Sequence, residues 1–194
     1  MRTLVSLEPR LDYVGIQLRP HFIRERFGLK GDAAVVFRGA CRVEGTALVD
    51  LEDREAGAFI ASNDMLHLML ERFEPDLPRM VMLQRLLADL VASRVRASVP
   101  EKAAVVRRDG DDVFVGDGKL TVSIATVSPV SGLIHLGVNV DDRDTPVTTA
   151  ALDPLGIPVA SFAQGLVDDL VHELDGIADA VSKVRPAHGG GDAG

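Results

Sequence analysis

Residues 116–141 read "GDGKLTVSIATVSPVSGLIHLGVNVD", two runs of alternating side chains joined by a short segment holding Pro129. Successive residues of a strand point to opposite faces of its sheet, so the run divides into rows. Leu120, Val122 and Ile124 form one row, and Lys119, Thr121, Ser123 and Ala125 the other. On the return strand Ile134, Leu136, Val138 and Val140 share a face, leaving Leu133, His135, Gly137 and Asn139 opposite. A loop at 129–131 pairs Ala125 with His135, Ser123 with Gly137 and Thr121 with Asn139. The apolar rows then coincide as a core face. The other face becomes a strip of small and polar residues ending at Lys119, one of only four lysines in the chain. Small residues leave the backbone open to close approach, so the strip suits a flat ligand.

Working outward, "LRPHFIRERFGLKGD" (18–32) predicts a short helix with Pro20 in its first turn and Gly28 as its stop. "AAVVFR" (33–38) predicts a buried strand, "GACRVEG" (39–45) a polar turn, and "TALVD" (46–50) a second strand ending in Asp50, Glu52 and Asp53. "SNDMLHLMLERF" (62–73) begins with capping residues and places Met65, Leu66, Met69, Leu70 and Phe73 on one face of a predicted helix. A second amphipathic helix follows Pro78, with apolar residues at 83, 86, 87, 90 and 91. "AAVVRR" (103–108), "DVFVG" (112–116) and "KLTVSIATVS" (119–128) predict strands separated by Asp-Gly turns at 109–110 and 117–118. A last helix over 158–184 carries Phe162, Leu166, Leu170, Leu174 and Ile177 on one stripe, and is expected to pack on the apolar hairpin face. Strands and helices are segregated, so the expected class is α+β: a mixed, largely antiparallel sheet with flanking helices.

The chain has 194 residues, which suits a single domain, expected over 1–185 and followed by a disordered Gly-rich tail, 186–194. Its net charge of −8 argues against nucleic acid or an anionic membrane as the partner. No apolar run approaches the roughly 18 residues of a membrane span. The first residues, interrupted by Glu8, Arg10 and Asp12, do not form a signal peptide, so the expected location is cytoplasmic. Cys41 is the only cysteine, read as a buried, inert thiol, and no disulfide framework is available.

Two likenesses enter here. "YVGIQLRPHFIRERFGLKGDAAVVFRGACRV" (13–43), with "VDLED", "MLHLMLERF" and "QRLLADLV", resembles an uncharacterised family catalogued as a domain of unknown function. More distantly, "GKLTVSIATVSPVSGLIHLGVNV" (118–140) resembles the segment that carries the essential lysine of biotin and lipoate protein ligases. "FRGACRVEGTALVDLED" (37–53) loosely resembles their Arg-Gly-rich adenylate loop, although Gly39 and Gly45 stand alone where the ligases have adjacent glycines. The resemblance implies a class II synthetase-like fold with a cleft over one sheet face.

Candidate site residues follow from charge and placement. Lys119 is the candidate catalytic group, a compact cation for phosphate or carboxylate. Arg38 and Gly39 are candidates to hold an anion, and Gln17, Arg19 and His21 surround a predicted helix start. Thr121, Ser123, Gly137 and Asn139 complete the ligand strip. The group Asp50, Glu52 and Asp53 reads as an acidic turn, so no metal site is assigned, and His67 and Glu71 read as a local helical pair. The sequence leaves the cofactor unknown. Two functions remain open: a ligase-like binder of a small anionic or acyl ligand, or of a nucleotide, and a non-catalytic binding or assembly protein on the same fold. Either admits a homo-oligomer. Removing residues 187–194 is expected to leave the melting temperature unchanged, whereas a clear drop would mean that the tail docks.

Overall fold

The computed structural model describes residues 1–143 and 147–185, so the expected tail at 186–194 lies outside the described residues. In chain order the elements are β1 (Arg2–Ser6), α1 (Phe22–Phe27), β2 (Ala33–Glu44), α2 (Leu51–Glu55), β3 (Phe59–Arg72) and α3 (Leu77–Ser98). They continue with β4 (Val106–Asp109), β5 (Asp112–Val115), β6 (Gly118–Lys119), β7 (Thr121–Val127), β8 (Gly132–Asn139) and α4 (Val159–Ser182). The main sheet runs β1-β2-β3-β8-β7, antiparallel except for the β1–β2 pair. A smaller sheet, β4-β5-β6, stands beside it. The architecture is therefore α+β and mostly antiparallel, as expected. Among the described residues no helix is long and apolar enough to cross a membrane.

Both faces of the main sheet are covered. On one, Ala34, Val36, Leu68, Leu70, Leu136 and Val138 meet Leu83, Leu87 and Val91 of α3 and Phe162, Leu166 and Leu170 of α4. On the other, Ala33, Val35, Phe37, Met65 and Met69 lie under Tyr13, Ile23 and Leu48, which come from irregular chain and the short α1. Gly28, with φ 75°, ends α1 where the sequence predicts.

The structure corrects several expectations. Residues 62–73 are not a helix but belong to β3, the central strand. Met65 through Leu70 are all buried, so the strand has no polar face, and a run apolar on both faces satisfies helical spacing by accident. The expected turn at 39–45 is also absent, because β2 runs unbroken to Glu44. A bulge sits there instead, with Asn63 and Asp64 together opposing Ala40, and Arg38 clamps Asp64 through Nε and Nη2 at 2.9 and 2.6 Å. The expected strand at 46–50 is a 3₁₀ turn, Gly45–Ala47, leading to Asp50, whose carboxylate caps α2. Residues 100–105 form another 3₁₀ turn, so strand structure begins only at Val106. The second hairpin turn is Gly116-Asp117, one residue earlier than expected, with Gly116 at φ 60°.

The hairpin register also differs by one. Val127 pairs with Gly132 across a loop at 128–131, closed by Ser128 N–H donating to the Ser131 carbonyl at 2.7 Å. Thr121 therefore pairs with Val138, Ser123 with Leu136 and Ala125 with Ile134. A one-residue slip moves every side chain of β7 to the other face. The polar row turns toward the helices because partners wait there. Thr121 Oγ1 accepts from Val113 N–H at 2.8 Å, and Ser123 Oγ lies 2.8 Å from both Asp111 and Gln84.

Helix α4 does not cover the hairpin either. That place belongs to α3, while α4 packs on β1, β2 and α3. Leu170 is fully buried in this layer. Replacing it, as Leu170→Ala, should cost about 2–5 kcal/mol in urea unfolding; a loss under about 0.5 kcal/mol would put that face in solvent.

Candidate functional site

The sheet face opposite the long helices is roofed by chain without regular structure, and a cavity remains there. After β1 the chain returns to the β2 edge. Leu11 N–H donates to Arg38 O at 2.9 Å, Tyr13 N–H to Ala40 O at 2.8 Å, and Arg42 N–H to Tyr13 O at 2.9 Å. This approach requires Gly39, because a Cβ there would collide with the Leu11 carbonyl. Gln17 braces the following loop, accepting from Val14 N–H at 3.0 Å and donating to Asp12 O at 2.8 Å. Tyr13 is thereby laid over His135, with ring centroids 3.7 Å apart and planes 6° from parallel.

Beside this stack lies a cavity of about 70 Å³. Its sheet side is made by Val122, Ile124 and His135, its wall by Tyr13, Cys41 and Val43, and its cover by Ala47 and Leu48, with Asp50 and Asp53 at the rim. The cover belongs to residues 45–58, the β2–β3 connection. It is lightly held: Leu48 is buried, but every residue of α2 is exposed. Gly45 and Gly57, at φ 59° and 63°, bracket it.

Under the cavity two histidines form a buried relay. His67 Nε2 lies 3.3 Å from the Gly39 carbonyl, and His67 Nδ1 lies 3.0 Å from His135 Nε2. A carbonyl can only accept, so in the neutral ring His67 Nε2 carries the proton and Nδ1 accepts from His135. Phe37 stacks on His67 with centroids 5.0 Å apart. Burial pushes the His67 pKa down to about 4, against a smaller upward pull from the Gly39 and Ala40 carbonyls. Burial, then repulsion from His67, hold His135 well below the usual histidine range. Burial raises the Cys41 thiol to about 12 and pushes Tyr13 above the usual phenol range, so both stay protonated at neutral pH.

Of the ten candidate ligand-site residues that the sequence singled out, only Ser123 borders this cavity, and its hydroxyl serves Asp111 and Gln84. Lys119 lies in the smaller sheet, its Nζ 2.8 Å from Asp112. Burial raises the Asp112 pKa, with Lys119 pulling it back. Arg38 is held by Asp64, and Arg19 pairs with Glu25 at 2.5 Å on the surface. Gly39 and Gln17 shape the loop that carries Tyr13, Thr121 faces the helices, and Gly137 leaves room for the Met65 thioether. Asn139 Nδ2 lies 3.2 Å from Lys119 O and 3.3 Å from Ala150 O, tying the two sheets together. His67 and Glu71 are not a helical pair. The buried Glu71 carboxylate accepts from His21 N–H at 2.9 Å and from Ser131 Oγ at 2.8 Å. Sequence reasoning missed the role of Tyr13, although it is the only tyrosine, and assigned His135 the wrong neighbours by one register step.

The histidines make stability depend on pH. A histidine with a lowered pKa binds its proton in the unfolded chain near 6.5 and in the folded chain only near 4, so folding weakens as pH falls between these values. His67 alone should remove about 2 kcal/mol between pH 7 and pH 5 in urea titrations, and His135 adds in the same direction. His67→Gln should flatten the dependence; an unchanged slope would mean that His67 does not titrate this way.

The chain is similar in sequence and in fold to several known proteins. The uncharacterized protein MJ0805 of Methanocaldococcus jannaschii is 32% identical over 191 residues, covering 95% of this chain and 85% of the relative. A solved protein of unknown function from Pyrococcus horikoshi superposes with a TM-score of 0.89 at 37% identity, over 96% of this chain and 99% of that one. Biotin protein ligase from Aquifex aeolicus, in complex with biotin and ATP, reaches 0.58 at 13% identity, over 90% and 71% of the two chains. Lipoate-protein ligase A bound with ATP reaches 0.54 at 14%, over 89% and 86%. At such identities the likeness shows the biotin/lipoate ligase fold alone. With its residues 1–185 matching the family model, the chain belongs to the DUF366 family, a domain of unknown function.

Proposed function

We propose that this protein is a small-molecule binding protein whose ligand occupies the cavity between the β7–β8 hairpin and residues 45–58. The carrying observation is a largely apolar cavity over the sheet, partly covered by a segment whose buried anchor is Leu48. Its volume, about 70 Å³, is below the roughly 300–1,000 Å³ of an ordinary ligand site, so a larger ligand enters by lifting the cover. Lifting breaks little, because α2 buries none of its residues and a Cβ at Gly45 or Gly57 would touch nothing. The fold is one in which relatives hold biotin and ATP, which makes an acyl-type ligand the first to try.

Binding without adenylate chemistry is the better supported of the two functions. Among the described residues no lysine or arginine lines the cavity, and a triphosphate needs cations to balance its charge. Lys119 and Arg38 are committed to Asp112 and Asp64.

A thermal-shift screen with biotin, lipoate, hexanoate and ATP tests this reading. A ligand at 100 times its dissociation constant should stabilise by about 2.7 kcal/mol. Biotin, lipoate or hexanoate should shift the transition and ATP should not, and Ile124→Trp, filling the cavity, should abolish the shift. No shift with any of the three acids, or a shift that survives Ile124→Trp, would overturn it.

A further inference from the structure

The relay beneath the cavity specifies what it can bind, an inference that rests on the cavity being a ligand site. A neutral imidazole has one N–H and one lone pair. The Gly39 carbonyl fixes the proton of His67 on Nε2, and His67 Nδ1 in turn fixes the proton of His135 on Nε2. The nitrogen left over is His135 Nδ1, a lone pair on a residue that lines the cavity. Tyr13 covers a face of the imidazole, so a ligand meets its edge.

We infer that the part of the ligand reaching His135 is a neutral hydrogen-bond donor, an N–H or O–H on a flat group, and that His135 Nδ1 accepts from it. An anionic group would bring no donor to a lone pair. It would also meet no cation, since the charged residues lining the cavity are Asp50 and Asp53. A protonated His135 would reverse the preference, but burial and the neighbouring His67 oppose that proton. The deep end of the ligand is therefore the opposite of the anion expected beside Lys119; any carboxylate of an acyl ligand points out toward solvent.

Three flat rings of similar size test this on the full chain: pyrrole, which has an N–H donor; furan, which lacks one; and furan-2-carboxylate, which is anionic and also lacks one. NMR titration should show pyrrole binding about tenfold more tightly than furan, the scale of one hydrogen bond. The carboxylate should bind no better than furan. Equal affinities for pyrrole and furan, or a preference for the carboxylate, would overturn the inference and leave the cavity a ligand site. Binding by none of the three would remove the cavity reading and this inference together. A second measurement needs no variant. Long-range ¹H–¹⁵N spectra of the free protein should show His135 Nδ1 unprotonated, with a shift that pyrrole moves and furan does not; a protonated Nδ1 would refute the assignment. His135→Phe, if folded, should bind pyrrole and furan alike, and a retained tenfold preference would refute it too.

Discussion

Strand β3 has neighbours on both edges and no polar face, and the rest of the molecule is arranged to satisfy it. Its backbone groups pair with β2 on one side and β8 on the other. Its side chains from Met65 to Leu70 are excluded from water on both faces. Each face needs its own cover, since each buried aliphatic side chain contributes about 1.5–3 kcal/mol only while water is kept away. Helices α3 and α4 cover one face as a regular layer. Among the described residues there is no third long helix for the other, so the N-terminal segment and the β2–β3 connection cover it.

That asymmetry explains where the cavity lies. Helices α3 and α4 pack directly on their face of the sheet, and the wide hollow between them, lined by Leu86, Leu174 and Ile177, is open to solvent. Irregular chain follows its own hydrogen bonds first: Tyr13 is placed by the backbone of Ala40 and Arg42, and Leu48 by the turn at 45–47. The gap between them opens over β7 and β8. It also exposes a polar system buried under that face, the His67–His135 pair. A histidine pair costs little to bury when every N–H finds an acceptor, and Gly39 supplies the last acceptor in the chain. Gly39 thus has two tasks, admitting the Leu11 backbone and ending the relay.

The hairpin shows how polar residues can be structural. Leu120 marks the crossing from the small sheet to the large one, and it is fully buried. On the near side Lys119 pairs with Asp112. On the far side Thr121 and Ser123 meet the β4–β5 hairpin and α3, and Asn139 bridges two carbonyls across the junction. Side chains that suggest a ligand strip when read along one strand instead lock two sheets and a helix together.

By itself the sequence determined what local chemistry can determine. Gly28 ends α1, the apolar stripe after Pro78 makes α3, the stripe of residues 158–184 makes α4, and the alternation of 121–139 makes a hairpin. The α+β class follows from the order of these signals. Tertiary structure alone decided the rest. Whether 62–73 was helix or strand depended on neighbours far along the chain, because burial on both faces erases the period that separates the two. Which face β7 turned to the helices depended on one residue of loop length and on Asp111, Gln84 and Val113 waiting for its hydroxyls. The candidate site inherits both uncertainties: Tyr13, Cys41, His67 and His135 lie on four separate segments, and only long-range pairing brings them to one face.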